Sequence, residues 1–296
     1  MSRVGTTPIN LEVARPTPHA SADFDPSRAV DWLQRGDVDR AMRYVVGAFS
    51  RDRAPAPGAP NSPQWRQLTQ LLSDSPWVDA VAPRRCRNLV SPTPTGHAIH
   101  QWMLQHSDTF RVVGLRDRYL AKQIDASAAR EARAPVAAVF SRQCDAISMS
   151  AAWSAGQLHA VHVSGDPAAA AAIRASEAPG SCPLRHASLQ GILAGQFRLY
   201  GCGLIYLSDL PTSMEPATLG TLLDALSTWL KVRGQLIVAA VTRAPESGFL
   251  HAVAGWQPVV ATSDSLLQLA REIDQVKAFV HCQHSDGLAF LHLERR

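Results

Sequence analysis

The stretch that decides the fold runs from Phe197 to Ile273. It opens Phe197-Arg-Leu-Tyr-Gly-Cys-Gly-Leu-Ile-Tyr-Leu-Ser-Asp-Leu-Pro211 and continues through a helical segment to Gly234-Gln-Leu-Ile-Val-Ala-Ala240. A Gly248–Trp256 connection then leads into another helix. A strand with small residues, a helix, a glycine-led apolar strand and a polar crossover make the second half of a nucleotide-type α/β sheet.

Upstream, Val136–Phe140 is an apolar run of strand length, and Leu158–Val163 alternates as a second strand. Pro167–Ala175 reads as a helix with Pro167 in its first turn. Leu199–Ile205 is the fourth-strand region, Leu219–Leu230 a helix, and Gln235–Val241 a buried strand. Ser263–Ile273 is helical, with Ser263 and Asp264 as caps, and Val276–His281 pairs with Leu288–Leu293 as an antiparallel hairpin around Ser285-Asp286-Gly287. The expected class is α/β, a Rossmann-like sheet that is mostly parallel and ends in an antiparallel hairpin.

The N-terminal part reads as a helical extension. Residues 1–27 are polar and carry Pro16, Pro18 and Pro26, which suits a frayed arm. A helical pattern covers Ser27–Phe49, and Arg51–Pro63 is a Pro/Gly/Ala linker. Gln64–Leu72 fits another helix. Gly96–Arg130 is a long amphipathic pattern that Ser107-Asp108 splits in two. The expected division is residues 1–63, a flexible and helical region with its linker; 64–133, a helical cap; and 134–296, the α/β domain.

At 296 residues with 46% hydrophobic side chains, the chain can bury a sizeable core. Its longest apolar runs, such as Leu236–Val241, are too short to span a bilayer. Met1-Ser-Arg-Val-Gly-Thr-Thr-Pro8 holds no apolar leader core, so a cytoplasmic location is expected. The five cysteines show no CxxC spacing and read as reduced thiols. The net charge of +4 is unevenly placed: residues 84–133 carry 9 basic and 4 acidic side chains, against 9 and 9 before them and 11 and 12 after. That segment could meet an acidic partner or a carboxylate ligand, or be a solvated helix face. Nucleic acid is not expected, because its basic residues lack interleaved aromatics.

Motifs for other chemistries are missing. There is no Gly-x-Ser-x-Gly elbow, no Walker-type loop and no Gly-x-Gly-x-x-Gly after a strand. His281-Cys-Gln-His284 and Cys182-Pro-Leu-Arg-His186 invite a metal, but a strand would turn His281 away from Cys282 and His284. His97 and His100 lie one helical turn apart, a spacing that surface and core histidines share.

The order and wording of several segments resemble the bacterial class I methyltransferase family that makes 3-hydroxy fatty acid methyl esters as extracellular signals. The carrying segments are Phe197-Arg-Leu-Tyr-Gly-Cys-Gly-Leu204, Arg116-Asp-Arg-Tyr-Leu-Ala-Lys-Gln-Ile-Asp125 and Ser247-Gly-Phe-Leu-His-Ala-Val-Ala-Gly-Trp256. The resemblance covers roughly Leu71–Arg296 and implies a class I methyltransferase sheet with S-adenosylmethionine as cofactor. It places Ser141, Arg142, Ser164, Asp166, Tyr200, Gly201, Cys202 and Gly203 near that cofactor. Arg84, Arg116 and Tyr206 become the groups that would position an acid substrate. The chain departs from the family where Arg142 stands for a glycine, Ser164 for the ribose-binding acid and Arg198 for an aspartate. The Asp166-Pro167 pair is kept, and Asp166 could reach the ribose or cap the next helix.

Two functions follow. The first is methylation of a carboxylate on a fatty or other small organic acid. Such a nucleophile is already ionised, so catalysis is alignment and desolvation. The second is a pseudoenzyme, a methyltransferase-like protein that binds a ligand or an acidic partner such as an acyl carrier or a methyltransferase subunit. Losing one charged acceptor at a ribose costs on the order of 1.5–3 kcal/mol, so several changes together weaken the cofactor severely.

Overall fold

The computed structural model describes residues 12–13, 24–49, 62–73, 75, 93–141, 145–165, 182–208, 214–243, 246–254, 259–271, 273–274, 276–283 and 287–296. The chain forms two compact units. One holds Met1–Val13, Arg116–Arg243 and Val259–Arg296, and the other holds Ala14–Leu115 and Ala244–Pro258. The expected arm, the Pro-rich linker and the Pro167–Ala175 helix lie almost wholly outside the described residues. Among the described residues no helix is long and apolar enough to cross a membrane.

The first unit is built on a nine-stranded sheet. Its strands are β1 (Glu12–Val13), β2 (Pro135–Val139), β3 (His159–Ser164), β4 (Leu184–His186), β5 (Cys202–Leu207), β6 (Leu230–Val241), β7 (Val259–Val260), β8 (Val276–Gln283) and β9 (Leu288–Arg295). The order β4-β3-β2-β5-β6 is parallel throughout. β9 then pairs antiparallel with β6 along Gln235–Val241, and β8 lies outside β9. The Rossmann-like class, with its antiparallel C-terminal pair, is therefore the observed one.

One face of the sheet packs under α9 (Pro216–Ser227) and α11 (Ser263–Leu269). Leu219, Leu222, Leu223 and Leu226 of α9 recur at helical spacing and share a core with Val139, Ile205, Leu207 and Val238. Thr262 and Ser265 form a capping box at the start of α11, one residue before the expected caps. The other face meets α5 (Asp108–Arg130), whose Tyr119 ring stacks 3.9 Å from Phe290.

The same tyrosine makes a polar contact with a buried histidine. The Tyr119 hydroxyl is 2.9 Å from His292 Nε2, and the ring of His292 stacks on Phe279 at 4.6 Å. Burial pushes the His292 imidazole down to about 4, and the neighbouring His281 adds to the effect.

The second unit contains α1 (Pro26–Gln34), α2 (Val38–Phe49), α3 (Pro63–Ser73), α4 (Pro94–His106), the first turns of α5 and α10 (Ser247–Ala254). The single helix expected over Ser27–Phe49 is two, because Gly36 turns the chain at φ 82° and Asp37, just before α2, accepts the Arg40 N–H on its Oδ1 at 3.4 Å. The Gly248–Trp256 connection is largely α10, which buries Phe249 and Leu250 in this unit's core. The split at Ser107 is as expected, and Ser107 Oγ accepts the Phe110 N–H at 3.3 Å.

A buried carboxylate completes that cap. Ser107 Oγ donates to Glu246 Oε2 at 2.6 Å, and the Asp108 and Thr109 amides donate to the same carboxylate at 3.2 and 3.3 Å. A negative charge here meets the positive end of α5.

Two outcomes follow from these buried groups. Glu246→Ala leaves three donors short of a partner, so a melting experiment should show a loss of about 1–3 kcal/mol, which Glu246→Gln partly restores. His292 binds a proton more weakly folded than unfolded, so its contribution is complete above about pH 6.5 and is lost as pH falls towards 4. Stability should drop by at most about 3 kcal/mol across that window, and His292→Phe should flatten the slope.

Candidate functional site

Ligands of open parallel sheets lie beyond the carboxyl ends of the strands, at the point where strand order reverses. Here the chain moves outward from β2 to β3 and β4, then returns to β5 and β6, so the reversal lies between β2 and β5. Three neighbouring strands end in serine at this edge: Ser141 just after β2, Ser164 in β3 and Ser208 just after β5. All three are buried.

The turn after β2 is held from both sides. His162, buried on β3, donates from Nε2 to the Ser141 carbonyl at 2.7 Å. A carbonyl can only accept, so the neutral ring carries its proton on Nε2. Burial lowers the His162 pKa, while the bond to Ser141 works in the opposite direction. On the other side Ser208 N–H donates to Ser141 Oγ at 3.3 Å, across the reversal point. The Ser164 carbonyl accepts from Ala187 N–H at 3.0 Å and from His186 Nδ1 at 3.1 Å, which ties β3 to β4.

Between these anchors stands Phe140. Its φ is 51°, a left-handed conformation that a bulky side chain seldom adopts. Its ring lies over Gly165, where an added Cβ would come 2.8 Å from Cε1. The aromatic ring therefore covers the backbone at Gly165, the residue that follows β3.

The other expected site residues are dispersed. Arg84, Arg142 and Asp166 lie outside the described residues. Arg116 is buried and its Nε donates to Asp117 Oδ1 at 2.8 Å. Tyr206 is fully buried within β5, short of the carboxyl edge. Tyr200, Gly201, Cys202 and Gly203 sit at the amino end of β5, opposite the serine-lined edge. The strand starts at Cys202, after the left-handed Gly201, so the Leu199–Ile205 expectation was set three residues early. Its outer residues do not join the sheet: Arg198 lies over the Tyr200 ring at 5.0 Å, and Tyr200 is 73% exposed. Burial pushes the Cys202 thiol up to about 11, which leaves it protonated and inert.

Among the described residues, no group of three or more His, Cys, Asp or Glu is placed to hold a metal ion. No family model matches the chain, and no curated protein matches it. Among solved structures it is similar to "a possible exported protein" from Bordetella parapertussis, at 12% identity and TM-score 0.52, over 92% of this chain and 97% of that one. It is also similar to PigF with SAH, at 13% identity and TM-score 0.46, over 90% and 89% of the two chains. A third is an amino pentose methyltransferase from Micromonospora echinaspora, bound to SAM, at 12% identity and TM-score 0.43, over 66% and 97%. The likeness is one of fold. Solved methyltransferases are among the chain's structural neighbours, and their sequences are far from it.

Sequence reasoning missed His162 and Ser208. Phe140 carries a legible signal, since with Arg142 it is a bulky side chain able to plug the pocket at the turn after the first strand. His162 gave none, because its role appears only when β2 and β3 pair in register, Ala138 opposite His162.

A double-mutant cycle tests the ring's position. Gly165→Ala should cost about 1 kcal/mol by denaturant unfolding, because its methyl must displace the Phe140 ring, and should be nearly neutral in a Phe140→Ala background. Equal costs in both backgrounds would place the ring elsewhere.

Proposed function

We propose that this chain is a methyltransferase-type protein that takes S-adenosylmethionine at the carboxyl ends of β2, β3 and β5. The observation that supports this reading is the reversal point itself, flanked by Ser141, Ser164 and Ser208. Their small side chains leave backbone within reach of a nucleoside. When bound, the cofactor would supply an electrophilic methyl group. The proposed acceptor is a carboxylate of a fatty or other small organic acid, as in the 3-hydroxy fatty acid methyl ester family that the sequence resembles.

The backbone of this edge fits such a cofactor, provided that the Phe140 ring turns off Gly165. Ser164 offers one hydroxyl to a ribose where an acid would accept both of its hydrogen bonds. Arg116 is the described cation nearest in role to a substrate anchor, and its pairing with Asp117 holds the guanidinium in place. Arg84 and Asp166 remain proposed contributors on the strength of the resemblance alone.

Phe140 also favours a second reading, a pseudoenzyme whose cofactor edge is filled from within and which serves as a partner or ligand-binding subunit. Isothermal titration with S-adenosylhomocysteine separates the two. The methyltransferase reading expects measurable binding by the natural chain and at least about tenfold tighter binding by Phe140→Ala, where the ring no longer covers the turn. No heat from either protein up to millimolar ligand sinks that reading and leaves the pseudoenzyme.

A further inference from the structure

The opposite edge of the sheet carries a built protrusion. β5 and β6 pair at Cys202 with Leu230 and again at Leu204 with Gln235, so five residues of β6 span what two of β5 span. The excess forms a bulge over Lys231–Gly234. Arg233 turns it at φ 62°, and Gly234 has no room for a side chain, since a Cβ there would stand 2.6 Å from the Cys202 carbonyl oxygen. Val232, at the tip, is 65% exposed. Beside it the left-handed Gly201 directs the chain so that Tyr200 is 73% exposed. These are the two most exposed large hydrophobic side chains among the described residues.

Cations surround them. Arg198 and Arg295 both donate to the Thr228 carbonyl, at 3.1 and 3.2 Å, and Arg295 also reaches the Leu230 carbonyl. Lys231 pairs with Glu131, and Arg130 donates to Gln235 Oε1 at 3.3 Å. Arg133, at φ 67°, and Arg233 are exposed on the turns that lead into β2 and along β6. The guanidiniums of Arg198 and Arg295 are thus fixed by carbonyl groups that leave their positive charge uncancelled.

We infer that the Lys231–Gly234 bulge and Tyr200, with Arg130, Arg133, Arg198, Arg233 and Arg295 around them, form a docking surface for an acidic segment of a partner protein. A rigid aromatic anchor, an apolar tip and arginines are the composition of energetic centres in protein interfaces. The positive rim selects a partner of opposite sign. A nucleic acid fits less well, because Arg198 already covers one face of Tyr200. A bilayer fits less well too, because two apolar side chains bury little area. This surface does not depend on whether the serine-lined edge holds a cofactor.

The test is fluorescence anisotropy of the full-length chain with a labelled short Asp/Glu peptide carrying one central leucine. Binding should weaken as salt rises. It should fall at least about tenfold in a Tyr200→Ser, Val232→Ser, Arg233→Asn variant, where asparagine tolerates the left-handed turn. A peptide without the leucine should bind more weakly. Arg233→Asn alone serves if the triple variant melts early. No binding by the natural chain, equal binding by the variants, or tighter binding of a single-stranded oligonucleotide or phosphatidylserine vesicles would overturn the inference.

Discussion

The sheet unit depends on the double pairing of β6. Leu236, Ile237, Val238 and Ala239 have no exposed surface, with β5 running parallel on one side and β9 antiparallel on the other. A strand buried on both faces and both edges can satisfy its backbone only through its neighbours, so its pairing must be complete. Burial along β9 likewise does not alternate: every residue from Leu288 to Leu293 is buried, and β9 lies inside the sheet with β8 outside it.

At the carboxyl edge, the chain has exchanged openness for anchoring. His162 and Ser208 hold the Ser141 turn by its carbonyl and its hydroxyl, and Phe140 occupies a conformation usual for glycine. Strain of this kind persists only where surrounding contacts over-determine it. Here those contacts are the Phe140 N–H bond to the Val163 carbonyl at 2.8 Å and the ring's packing on Gly165. Whichever ligand meets this edge must contend with a side chain that already has a place to rest.

Much of the fold was legible in the sequence, because periodicity reports burial directly. The apolar runs at 136–140, 158–163 and 235–241, the break at Ser107 and the terminal hairpin all correspond to observed elements. The site was far less legible. The resemblance puts Tyr200, Gly201, Cys202 and Gly203 near a cofactor, yet Arg198 and Tyr200 pair with each other in solvent and the small residues lie at the amino end of β5. Segment 247–256 read as a connection because its glycines mask a helix whose apolar face belongs to a different unit from the strands on either side. No local pattern announces a partner far away in the chain. The same limit hid Glu246, an ordinary acid until the helix that it caps is known.

That cap has a temporal side. Ser107 and Glu246 are 139 residues apart, and between them the chain builds most of the sheet. Closing a loop of that length costs on the order of 4 kcal/mol in chain entropy beyond a constant. During synthesis, on the order of ten seconds pass between the emergence of the two partners. Through that interval the helices of residues 24–115 are present without Phe249 and Leu250, which complete their core. A nascent chain must therefore hold an unfinished helical unit, its apolar face still wet, until α10 arrives. This makes the order of translation, as much as the final contacts, a determinant of how much protein reaches the folded state.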